Sequence, residues 1–219
     1  MRLRASPSVA AVCLGILLPA ANARADIVVT VEAPTLVRVF FESDRPPPEM
    51  PVSAAEGSAA CSNVFEIEAK IESSVEVVSP TAVHVYPENF EIVTRLKSTI
   101  YLPDRSPSLL HEHEEGHRAI GEHFYRDAEA AAREAAQSLI GQSFEGIGLD
   151  RAEAEQRAGR SVLAVLKDEY MKRTHARSAA ANARYDEITK HGLNGRIPAE
   201  GAVELALAEA RRQEALTAQ

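Results

Sequence analysis

Cysteine is scarce in this chain, with Cys13 and Cys61 the only two in 219 residues. Cys13 falls in an apolar stretch that reads as a cleavable leader. The rest of the chain then holds Cys61 alone, which excludes an internal disulfide. Such a domain must stand on its hydrophobic core or on a metal. Positive charge is also short. Lys and Arg number 24 against 32 Asp and Glu, a net charge of −8. That balance argues against a nucleic-acid partner and against electrostatic docking on an anionic membrane. After the leader, no stretch is apolar for long enough to span a bilayer.

The leader is read from three features. Arg2 and Arg4 form a positive start, residues 9–20 are apolar, and Ala23-Arg24-Ala25 supplies an A-x-A cleavage site. The expectation is a signal peptide over 1–25, cut after Ala25, and a periplasmic or secreted product. Its removal takes away three arginines and no acid, so the net charge moves from −8 to −11.

Residues 26–33 and 36–42 are rich in Val, Ile and Phe and read as two short strands. Residues 43–60, with Pro46, Pro47, Pro48 and Pro51 followed by Ala, Ser and Gly, read as a linker or long loop. Over 64–71, Phe65, Ile67, Ala69 and Ile71 alternate with Glu66, Glu68, Lys70 and Glu72, the mark of an antiparallel strand with one wet face. Segments 75–78, 83–86 and 90–102 continue in that manner. In the last, Ile92, Thr94, Leu96, Ser98, Ile100 and Leu102 share a face. Ser106 as N-cap and Pro107 at the first helical position then open a helix reaching to about Leu139. Gly141, Gly146 and Gly148 break it, a second long helix runs from about Arg151 to Lys190, and a last one from Pro198 to about Leu216.

The predicted fold class is α+β: a small N-terminal antiparallel sheet followed by a long antiparallel helical hairpin. Its parts are N-terminal strands and linker over 26–60, the main domain over 61–195 and a C-terminal helix over 196–219.

The chemistry sits at His113-Glu114-Glu115-Gly116-His117, an H-E-x-x-H pattern. Histidines four apart share one face of a helix and can ligate one Zn²⁺. Glu114 can then take a proton from a metal-bound water. Leu110, His113, His117, Ile120, Phe124, Ala128, Ala131 and Ala135 follow at spacings of three and four, so both histidines lie in the apolar stripe. His111 and His123 do not share that angular position and read as surface residues. Gly121, one turn beyond His117, leaves either space beside the metal or a packing contact. An evenly folded hairpin turning between Ser138 and Asp150 would set His113 against His175 and His117 against Met171, which nominates His175 as third ligand.

Asn182, Asp186 and Thr189 form a polar line down the second helix, within Tyr185-Asp186-Glu187-Ile188-Thr189-Lys190-His191-Gly192. HEEGH followed much later by YDxxTxHG resembles a bacterial family of predicted secreted zinc-dependent proteases, over roughly residues 61–195. The resemblance implies His113 and His117 as metal ligands and Glu114 as catalytic base. Tyr185, Asp186 and His191 would form the other half of the site. His191 becomes the third ligand, with Asp186 as orienter or substitute ligand.

The function expected is that of an exported zinc metallopeptidase acting on a peptide or protein. Glu114 would accept the water's proton and pass it to the leaving amine, and Tyr185 would hydrogen-bond the tetrahedral oxyanion. In zinc peptidases a strand beside the metal helix commonly holds extended substrate by main-chain pairing, and 98–102 is either that edge or an interior strand. The rival is a non-catalytic metal-binding or scaffolding protein of the cell envelope. Glu114 favours the enzyme, because a storage site needs no carboxylate there.

Overall fold

The computed structural model describes residues 25–51 and 59–217. All but the last residue of the expected leader, and residues 52–58 of the expected linker, lie outside the described residues. The elements are β1 (Ile27–Val31), β2 (Thr35–Phe41), β3 (Ala60–Ser79), β4 (Ala82–Pro103), α1 (Ser108–Tyr125), α2 (Ala128–Gln137), β5 (Phe144–Ile147), α3 (Arg151–Arg173), α4 (His175–Thr189) and α5 (Ala199–Thr217).

β4 is the spine of the sheet. On one side it pairs antiparallel with β3 along almost its whole length. The other side is shared by three short strands laid end to end: β5 antiparallel against Ala82–Val85, β1 parallel against Phe90–Thr94, and β2 parallel against Lys97–Pro103. Ile27 meets Phe90 and Thr35 meets Lys97, so eight steps along the N-terminal segment answer seven along β4. β1 and β2 are thus one strand line interrupted around Pro34. Pro87 falls in the gap between β5 and β1, where its missing N–H costs no pairing on that side. A register shift between Glu72 and Ser73 leaves Glu88 as the extra residue of a bulge beside it.

This corrects the predicted fold class in two ways. The N-terminal strands do not build an antiparallel sheet; they run parallel to β4 in a mixed sheet. The connection stays on β4 instead of turning back, with the Glu32 N–H donating to the Thr94 carbonyl at 3.1 Å, and β4 offers both strands a partner. The long helical hairpin is also absent, since each predicted helix is two. The first breaks at Arg126–Asp127, and the second at Thr174 (φ −119°, ψ −77°). The helix expected to start on a Ser106 cap starts instead after Pro107, and the Ser106 hydroxyl contacts the Pro103 carbonyl and His111. β5, in the segment read only as a break, was not anticipated.

The alternating patterns hold. Phe65, Phe90, Ile92 and Leu96 are buried under the helices, while Glu66, Glu68, Lys70 and Glu91 are exposed on the far face. The helix layer answers with small residues: Ala128, Ala131, Ala132, Ala135 and Ala136 of α2 are all buried, which lets that helix lie close to the sheet. α1 packs on α4 and α2 on α3, with α5 covering α1 and α4. No helix among the described residues is long and apolar enough to cross a membrane.

Candidate metal centre

α1 is amphipathic, and its buried face carries His113, Glu114, Gly116, Ile120 and Gly121. Four-residue spacing brings the two imidazoles together, with His113 Nε2 3.1 Å from His117 Nε2. Asp186 comes from α4. Its Oδ1 stands 3.3 Å from His113 Nε2 and 3.0 Å from His117 Nε2. A tetrahedral zinc site with bonds of roughly 2.0–2.1 Å has donor-to-donor edges of about 3.3 Å. The three atoms are therefore spaced as three corners of such a site, and they are the one cluster of this kind among the described residues.

The far ring nitrogens decide what those corners present. The Thr189 hydroxyl donates to the Tyr185 carbonyl at 2.8 Å, so toward His113 Nδ1, 3.2 Å away, it can only accept. Asn182 donates its amide to the Ser178 carbonyl at 2.9 Å, which turns its Oδ1 to His117 Nδ1 at 2.7 Å. Both histidines thus keep a proton on Nδ1 and turn Nε2 inward, the atom that ligates a metal once it is deprotonated. Where no cation joins them, protons on Nε2 bridge the imidazoles to the Asp186 carboxylate, and a metal ion would take the place of those protons. The protonation balance has the same cause. Burial would raise Asp186, but hydrogen bonds from His113 and His117 hold it well below the usual carboxylate range. Burial would lower His117, yet the hydrogen bond and charge of Asp186 raise it.

Glu114 is 3% exposed. Its pKa rises to about 7, chiefly through burial, with the positive His117 lowering it and the Asp186 charge raising it. A cation at the three donors would lower it again, toward the ionised carboxylate that accepts a proton from a bound water.

Tyr185 lies behind the metal face. Its ring stacks on His113 (centroids 5.1 Å apart, 13° between planes) and meets His117 edge-on at 5.0 Å. The hydroxyl is buried against Gly116, where a Cβ would come within 2.1 Å of it. It has no hydrogen-bond partner among the described residues. The side chain backs the two rings and does not line the cleft that holds the donors.

His191 lies outside the three-donor group. Lys190, His191 and Gly192 all have positive φ (49°, 53° and 78°), a left-handed turn that ends α4. Gly192 passes so close to His113 that a Cβ would lie 3.1 Å from its ring, and His191 is thrown outward, its side chain 81% exposed. Its Nδ1 is 3.5 Å from the same Asp186 oxygen. Of the residues nominated as third ligand, Asp186 stands in that place. His175 also misses it, because the breaks in both helices slide α4 along α1 by about three turns relative to an even hairpin. It lines the far end of the cleft and meets Phe65 edge-on.

The cleft has a volume of about 640 Å³, within the range of ligand-binding cavities. α1 supplies His113, Glu114 and His117, α4 supplies Ser178, Asn182 and Asp186, and the start of β3 supplies Ala60, Cys61 and Asn63. Burial pushes the Cys61 thiol up, and the Glu114 charge adds to it, so it is protonated and unreactive. Segment 98–102 is not an edge, for it runs between β2 and β3. The strand that borders the cleft is β3, which among the described residues pairs only with β4 and has its outer side open.

Sequence reasoning missed Asn63, which hydrogen-bonds the His117 carbonyl, and gave Ser98 no part in the site. The available signal was a serine on the buried, mostly apolar face of β4. No family model, curated protein or solved structure matches the chain, so the likeness to secreted zinc-dependent proteases rests on its two sequence motifs alone.

Proposed function

We propose that this protein is a zinc-dependent metallopeptidase whose ligands are His113, His117 and Asp186 and whose general base is Glu114. One observation carries the reading: two inward Nε2 atoms and a carboxylate oxygen, spaced as three corners of a tetrahedral site, converge beside the buried carboxyl of Glu114. Two imidazoles and a carboxylate form a donor set that zinc takes in hydrolytic centres, where a further position stays open to water. Bound zinc lowers the pKa of that water and polarises a carbonyl. Glu114 accepts the water's proton and returns it to the leaving amine. Thr189 and Asn182 hold the ligand imidazoles in one tautomer. The open side of β3 at Ala60–Asn63 offers main-chain groups to an extended polypeptide, and its alanine, cysteine and serine side chains leave room for that approach. The Tyr185 contact to an oxyanion is not part of the reading, since its hydroxyl lies outside the cleft.

The test pairs metal analysis with a peptide-library digest of protein purified without chelators. One equivalent of zinc, with cleavage abolished by chelation and restored by zinc, is the expected result. Zinc binding without cleavage of any peptide would instead support a non-catalytic metal protein. A preference for iron would point to oxidative chemistry at a two-histidine, one-carboxylate centre.

A further inference from the structure

We propose that Asn63 is the positioning residue that fixes the metal-bearing turn of α1 against the sheet. The contact starts at Ser98, which is 1% exposed on the inner face of β4 and paired across to Asn63. The Ser98 hydroxyl donates to Asn63 Oδ1 at 2.6 Å, which settles the orientation of the amide. Asn63 Nδ2 then donates to the main-chain carbonyl of His117 at 2.9 Å. Gly121 makes this possible, for a Cβ there would lie 2.5 Å from Asn63 Cγ and displace the amide. The ligand His117 is thereby held twice: Asn182 of α4 fixes its ring, and Asn63 of β3 fixes its backbone. Asn63 also stands in the cleft wall, so the same contact sets how far the open side of β3 lies from the donor atoms.

The proposal rests on the metal-site part of the reading above and is independent of peptidase activity. Its test measures zinc affinity by chelator competition, and thermal unfolding of the metal-free protein, in Asn63→Ala, Gly121→Ala, the double variant and Ser98→Ala. Asn63→Ala and Gly121→Ala should each weaken zinc about 10- to 100-fold, the range for groups that orient a ligand. In the double variant the Gly121→Ala methyl occupies space vacated by the amide, so the melting temperature should recover while the affinity does not. Ser98→Ala frees the amide to rotate and should cost about threefold or more on the same grounds. It serves as the milder probe where Asn63→Ala fails to fold. Parental affinity in folded Asn63→Ala or Ser98→Ala, or affinity restored in the double variant, would make Asn63 a space-filler and overturn the proposal. Absence of zinc binding in the parent would overturn the metal centre and this proposal with it.

Discussion

The two helices that make the site contribute in different ways. α1 delivers His113, Glu114 and His117 from five consecutive residues, all facing inward by helical spacing alone. α4 delivers Asp186 together with Asn182 and Thr189, which orient the α1 histidines, and Tyr185, which backs them. One helix carries reactive groups, and the other tells them where to point. The comparison teaches that a short motif names the chemistry, whereas the geometry comes from a second segment whose residues look ordinary one at a time.

The sharpest way to break that division is at Glu114. Glu114→Gln should retain zinc and lower peptidase activity about 10²–10⁴-fold, the range for general-base catalysis. The same change should strengthen the metal-free protein at alkaline pH. The folded-state pKa of Glu114 is raised from 4.5 to about 7. The parent therefore loses stability as pH rises between those values, because folding then opposes ionisation. Above pH 7 the penalty is complete, and the Gln variant should be more stable by roughly 1–3 kcal/mol, with little difference near pH 4. Urea melts of chelated protein at pH 4 and pH 8 measure this. Parental activity in the variant would remove Glu114 from the mechanism.

A second comparison lies within α4 and the turn that ends it. Asp186→Ala should weaken zinc by about a hundredfold or more, whereas His191→Ala should change it by less than about threefold, as for a solvent-exposed side chain whose contact with Asp186 is long. Chelator competition ranks the two, and the reverse ranking would restore His191 as the ligand. The smallest effect is expected at Tyr185. Tyr185→Phe keeps the ring that stacks on His113 and removes only a hydroxyl without a partner, so zinc affinity and activity should stay within about threefold. A drop in kcat of about a hundredfold with KM unchanged would instead give that hydroxyl a role in the transition state.

What could be read from the sequence divides along similar lines. The faces of β3 and β4 were legible because Phe65, Ile67 and Ala69 alternate with charged residues, and because Ile92, Leu96 and Ile100 share a face with Thr94 and Ser98 between them; that the four segments read there join into two long paired strands was not. The parallel docking of β1 and β2 was not, since a strand bears no local mark of which distant strand it will join or in which direction. HEEGH could be read because both histidines sit on one turn-spaced face. Asp186 was visible only as an alternative to His191. The deciding feature is the left-handed run at Lys190–Gly192, which leaves His191 beside Asp186 but outside the three-donor group. Gly192 was seen as a helix stop, but its approach to His113 depends on a fold the sequence shows only in pieces. The helix breaks at Arg126–Asp127 and Thr174 carry neither Gly nor Pro, so nothing local announced them.

Asp186 and His117 are far apart along the chain, and that separation has a consequence in time. A nascent or unfolded chain holds the two histidines on a single segment, with no third donor near them and no orienting contacts from Asn182 or Thr189. The full donor set exists only after α4 has docked on α1. A chain that has not yet docked the two helices therefore lacks the arrangement through which metal chemistry at this centre would run.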